Sequence, residues 1–191
     1  MPRLLSIMVV AVALLQGLGA QTSSSGASQD NRNQPFSQRG MDRIVKEVHH
    51  ELVLLPYYGV FDNIAYRVSP DGTVTLLGQV TRPTLKSDAE NSVKRIEGVE
   101  RVDNQIQVLP PSSMDDQIRL ATYRAIYGNS ALAPYSLRAV PPIHIIVNQG
   151  RVTLEGVVAK QMDKQIAEMQ AKSVPNVFSV TDNLRVEEQG S

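Results

Sequence analysis

Residues 72–80 read GTVTLLGQV, and residues 150–158 read GRVTLEGVV. In the first stretch Val74, Leu76, Gly78 and Val80 alternate with Thr75, Leu77 and Gln79; in the second, Val152, Leu154, Gly156 and Val158 alternate with Thr153, Glu155 and Val157. Period-two alternation predicts a β-strand with one buried face, and here it is written twice. A shift of 78 aligns residues 72–108 with 150–186 without a gap, with identical residues at Gly72, Val74, Thr75, Leu76, Gly78, Val80, Lys86, Ala89, Glu90, Lys94, Val99 and Val102. A register kept over that length marks a duplicated folding unit.

Working outward, IAYRV (64–68) and IHIIV (143–147) precede the repeated strand, joined to it by Ser69-Pro70-Asp71-Gly72 and by Asn148-Gln149-Gly150. Both joints predict hairpins in which Gly72 and Gly150 supply positive φ. After the strand, Leu85, Ala89, Val93 and Ile96 fall at helical spacing and stop at Gly98, a C-terminal cap. The second copy keeps the stripe with Ala167, Ala171 and Val174 and puts Asn176 at the glycine's place, the next best residue for a left-handed conformation. Alternation at Val102, Ile106 and Val108, and at Val180, Leu184 and Val186, predicts a third strand. An amphipathic helix precedes each copy: Ile44, Val48, Leu52 and Leu55, then Ile118, Ala121, Ala125 and Ile126, the latter opened by a capping box of Ser113 and Asp116. The fold class is therefore α+β, two tandem α-β-β-α-β units, each with two helices on one face of a three-stranded mixed sheet. Gly78 and Gly156 sit on the apolar face, either to let a helix approach or to form a bulge.

Residues 1–20 carry a basic start at Arg3, an apolar run from Leu4 to Leu15 and a small-residue end, which predicts an export signal. Residues 21–40 are Ser-, Gln- and Asn-rich and are expected as a disordered leader. The expected boundaries are then 41–109 for the first domain, 110–113 for a short linker, 114–187 for the second domain and 188–191 for a tail. With no cysteine, the chain has no disulfide scaffold, thiol nucleophile or thiolate metal site. Lys plus Arg and Asp plus Glu both number 19, so the basic field that drives nucleic-acid binding is missing. The protein is expected to be soluble and periplasmic or otherwise extracytoplasmic.

The element order, the phrase G-x-V-x-L-x-G-x-V, the Glu97-Gly98-Val99 turn and the closing Val102-Asp103-Asn104-Gln105-Ile106-Gln107-Val108 resemble the BON domain, a module of bacterial envelope proteins. Two such units behind a signal peptide are similar to osmotically inducible periplasmic proteins of that family. The resemblance spans about residues 41–187 and implies phospholipid binding in envelope maintenance or osmotic stress. The second copy departs from the pattern at Val174-Pro175-Asn176-Val177 and at Asp182, which stands where the first has Asn104.

No catalytic constellation is visible. His49 and His50 are adjacent on a helix and point about 100° apart, and His144 lies on the strand face opposite Ile143 and Ile145; no metal or other cofactor is expected. There is no Gly-x-Ser-x-Gly elbow, phosphate loop or paired buried carboxylate, so an enzyme is not expected. Surface contacts remain. Arg119, Tyr123 and Tyr127 recur at intervals of four on one helical face, a strip suited to a lipid headgroup layer or to packing against the other repeat. Tyr57, Tyr58 and Phe61 fall between the first helix and first strand. The expected partners are a phospholipid surface, an envelope protein or another copy of the chain.

Overall fold

The computed structural model describes residues 38–138 and 140–187. The expected signal peptide, most of the leader and the tail lie outside the described residues. The elements run α1 (Gln38–Val53), β1 (Asn63–Val68), β2 (Thr73–Val80), α2 (Pro83–Val93), β3 (Arg101–Asn104), β4 (Gln107–Val108), α3 (Ser113–Tyr127), a short 3-10 helix (Ala133–Leu137), β5 (Ile143–Asn148), β6 (Arg151–Val158), α4 (Gln161–Lys172), β7 (Ser179–Asp182) and β8 (Arg185–Val186). Helix α1 begins inside the stretch expected as leader.

The duplicated phrase gives duplicated pairing. β1 runs antiparallel to β2 with Ile64 opposite Gly78, and β5 antiparallel to β6 with Ile143 opposite Gly156. β3 and β4 lie parallel to β2, and β7 and β8 parallel to β6, so both sheets are mixed. The expected third strand is broken in each repeat by a side chain. Asn104 Oδ1 accepts from the Ile106 N–H at 3.2 Å, while its Nδ2 donates to the Lys86 carbonyl at 2.8 Å. Asp182 Oδ1 likewise accepts from the Leu184 N–H at 2.9 Å, and Lys164 Nζ, 3.9 Å from Asp182 Oδ2, donates to the Leu184 carbonyl at 2.6 Å. The exchange of Asn for Asp thus keeps the turn and replaces an amide donor with an ammonium.

Neither reading of the recurrent strand glycine survives. Gly78 has φ +112° and Gly156 φ +123°, and a Cβ there would lie 2.1 Å from the Asn63 carbonyl oxygen and 1.9 Å from that of Pro142. The close neighbour is the start of the adjacent strand, not a helix, and the pairing register passes through both glycines without a bulge. Gly98 at φ 91° and Asn176 at φ 66° share the left-handed conformation after the second helix of their repeats. The cap of α3 is Ser112, one residue before the expected Ser113: its hydroxyl accepts from the Asp115 N–H at 3.2 Å.

Each repeat has its own core. Ile44, Val48, Leu76, Val80, Leu85 and Ala89 fill the first, and Ile118, Ile126, Ile145, Leu154, Ala167 and Leu184 the second. Val60 and Phe61, from the loop between α1 and β1, pack against the second core.

Candidate functional site: the seam between the repeats

In an antiparallel hairpin, alternate residues of the outer strand turn their N–H and C=O groups away from the partner strand. On β5 these outward residues are Ile143, Ile145 and Val147, and all three are engaged. The Tyr127 hydroxyl donates to the Ile143 carbonyl at 2.7 Å and accepts from its N–H at 3.2 Å. The Ile145 N–H donates to the Val60 carbonyl at 2.8 Å, a backbone bond from one repeat to the other. Arg119 Nη2 donates to the Val147 carbonyl at 2.8 Å, and its Nη1 pairs with Asp116. Beyond them, Asp115 takes the N–H groups of Gln149 and Gly150 at 2.9 and 2.8 Å, so α3 is fastened along β5 as far as its turn.

Of the two readings of the Arg119, Tyr123 and Tyr127 strip, burial weighs against the headgroup layer and leaves packing within the chain. The interval of four does place them on one face of α3, but that face meets β5. Arg119 is 5% exposed and Tyr127 6%, so neither is available to a headgroup layer in this fold. Burial pushes the Tyr127 hydroxyl well above its ordinary pKa, keeping it protonated as the donor that Ile143 needs. Tyr123 is half-buried, with its ring 4.9 Å from that of Tyr127 and edge-on to Phe61 at 6.2 Å.

The loop before β1 makes the other side of the seam. Tyr58 lies 5.6 Å from the His144 ring. Burial raises the Tyr58 pKa to about 12, against the Ile64 N–H that donates to its oxygen. His144 is on the strand face opposite Ile145, as its position suggests, but Tyr58 covers it. Burial holds its pKa below the usual 6.5; the nearby carbonyls of Asp62 and Gly59 and the Asp62 carboxylate oppose this. Its Nδ1 has no hydrogen-bond partner among the described residues. Asp62 itself, 3% exposed, fixes the loop by accepting from the Thr81 N–H at 2.7 Å and the Gly59 N–H at 3.2 Å. Of the six contact candidates only Tyr57 is open, 74% exposed at φ 67°, with the Arg82 guanidinium 4.9 Å over its ring.

Above the seam lies an open groove of about 380 Å³, bordered by Gly59, Val60 and Phe61 from repeat 1 and by Leu120, Tyr123, Ser136, Arg138 and Pro141 from repeat 2. Leu120 is 47% exposed and Leu137 beside the groove 87%. Arg124 and Arg138 are exposed and have no ion-pair partner among the described residues. Leu120, Arg138, Asp62 and Asp115 were not singled out from sequence. Leu120 and Arg124, four apart on α3, gave the only signal, on the flank of the helix next to the chosen strip. His49 and His50 are exposed on α1. No described helix is long and apolar enough to cross a membrane.

The model of the BON domain family matches residues 44–110 and 129–188 of this tandem pair of α-β-β-α-β units. The chain belongs to the BON domain family, whose domains are non-catalytic binding modules. No match was found among curated proteins. Among solved structures, the chain is similar to two of CdsD, a structural protein of the type III secretion system of Chlamydia trachomatis. One, its C-terminal domain, is 12% identical with a TM-score of 0.29, covering 76% of this chain and 98% of that one. The other is 12% identical with a TM-score of 0.30, covering 76% of this chain and 92% of that one.

Proposed function

We propose that the protein is a non-enzymatic, exported envelope protein whose paired BON repeats bind anionic phospholipid surfaces, serving envelope maintenance or osmotic stress in the periplasm. The observation that carries this reading is the groove above the seam: exposed Leu120 and Leu137 beside aromatic walls, with Arg138 on its border and Arg124 one turn along α3 from Leu120, both without an ion-pair partner among the described residues. Apolar side chains that enter the acyl boundary and arginines that stay with the phosphates are the pattern of an interfacial contact. BON membership supports the ligand class. The contact is moved from the buried Arg119 and Tyr127 to the adjoining, exposed flank of the same helix.

Vesicle sedimentation tests it. The purified chain should pellet with anionic vesicles at low salt, and Leu120→Asp or Arg138→Glu should return it to the supernatant. A wild-type chain that stays in the supernatant refutes the proposal. A second reading, docking of an envelope protein, is favoured by the surface at the end of α1, where Tyr57 and Leu54 are 74% and 63% exposed. There, Tyr57→Ala should abolish co-purification of the partner and leave vesicle binding intact.

A further inference from the structure

We propose that the chain assembles head to tail, the outer edge of β1 in one copy receiving the loop between α3 and β5 of a second copy. The joint within the chain supplies the pattern. There, the loop of repeat 1 seats on β5 of repeat 2, with Val60 on the Ile145 N–H and Tyr58 on His144. Two repeats in tandem form one such joint and leave one receiving edge and one donating loop unused.

The receiving edge is open among the described residues. By the parity set by the Ser69 N–H donating to the Thr73 carbonyl at 2.8 Å, the outward residues of β1 are Ile64, Tyr66 and Val68. Tyr58 lies close to the Ile64 N–H. No hydrogen bond reaches the outward backbone groups of Tyr66 or Val68 among the described residues. Helix α1 cannot close this edge as α3 closes the other. Aligning the buried stripe of Ile44, Val48 and Leu52 with Ile118, Thr122 and Ile126 puts Val45 and Val53 at the places of Arg119 and Tyr127. Both valines are apolar, 39% and 40% exposed, and have no hydrogen-bonding group to offer a strand. Val45 flanks the edge, since the Tyr66 hydroxyl donates to its carbonyl at 2.9 Å. An open edge beside exposed valines is a site for strand addition.

The donating loop is anchored by buried Leu132 and by Tyr135, whose hydroxyl donates to Asp163 and accepts from the Ala159 N–H, and its tip at Leu137 is free to reach outward. The offset of 79 that matches the first strands puts Leu137 at the place of Tyr58, and Ala65 at that of His144. Leu137 is 87% exposed where Tyr58 is packed, and Ala65 is a small, exposed side chain. Donor and receiver are different surfaces, so the contact is heterologous and grows by repetition. It shares Leu137 with the lipid reading but is read out separately, as mass in solution without vesicles.

Sedimentation velocity over a concentration series is the test, using Val45→Glu and Leu137→Asp, both at exposed positions so that folding is checked by an unchanged circular dichroism spectrum. Wild type should show a mass that rises with concentration, and each variant alone should stay monomeric. Mixed one to one, the variants should form dimers and nothing larger, because one retains its loop and the other its edge. A wild type that stays monomeric throughout, variants that assemble like wild type, or a mixture that fails to dimerise would each overturn the proposal.

Discussion

Replacing Tyr127 by Phe removes one oxygen atom and keeps the ring. Among the described residues that oxygen is the only partner of two buried backbone groups, accepting from the Ile143 N–H at 3.2 Å and donating to its carbonyl at 2.7 Å. The ring position is 6% exposed, so water cannot take the hydroxyl's place without opening the contact between α3 and β5. An unsatisfied buried donor or acceptor costs about 1–3 kcal/mol, and with both left on one residue the loss should be about 2–4 kcal/mol. Urea unfolding followed by circular dichroism measures it, with the midpoint falling and the slope unchanged because the packed surface is conserved. Amide exchange at Ile143 should accelerate in parallel. A loss under about 0.5 kcal/mol, the size of an ordinary surface change, would refute the claim that Tyr127 closes the strand edge and would return it to the surface.

Gly156→Ala should cost at least about 2 kcal/mol by the same unfolding assay, since a Cβ at φ +123° would stand 1.9 Å from the Pro142 carbonyl oxygen. Asn176→Gly should stabilise by up to about 1 kcal/mol, because it relieves a left-handed conformation at φ 66°. His144 gives the seam a pH dependence: its folded pKa lies below the 6.5 of the unfolded chain, so on acidification the unfolded state takes up the proton first. Stability should therefore fall as pH drops through about 6.5 and level off once folded His144 is protonated too. His144→Gln should flatten that part of a profile of urea midpoints against pH.

The repeat, its element order and the left-handed places of Gly98 and Asn176 were legible because each depends on local chain properties: period, turn chemistry and the cost of positive φ. The strand glycines were visible as a pattern but not as a cause, since what crowds Gly78 is the carbonyl of Asn63, brought close by pairing alone. The break in the third strand could be read only once Asn104 was known to fold back on Ile106. The site was misjudged for a related reason. Spacing tells which residues share a face of α3, but not which face meets β5, and a tyrosine and an arginine suit both a headgroup layer and a strand edge in need of hydrogen bonds. Leu120, an apolar residue among polar neighbours, was on the open side and drew no attention. The loop from Tyr57 to Phe61 was recognised as aromatic, but its attachment to β5 through Val60 rests on a backbone bond that no side-chain pattern encodes.

The chain has no tryptophan, so one introduced at the groove reports without background. Leu120→Trp, at a position 47% exposed, should shift its emission to the blue and be quenched by brominated lipid when anionic vesicles are added, while Met169→Trp, at a position 59% exposed on α4, should change in neither respect. Emission at position 120 that ignores the vesicles, or an equal response at position 169, would contradict the assignment of the groove as the surface that meets the membrane.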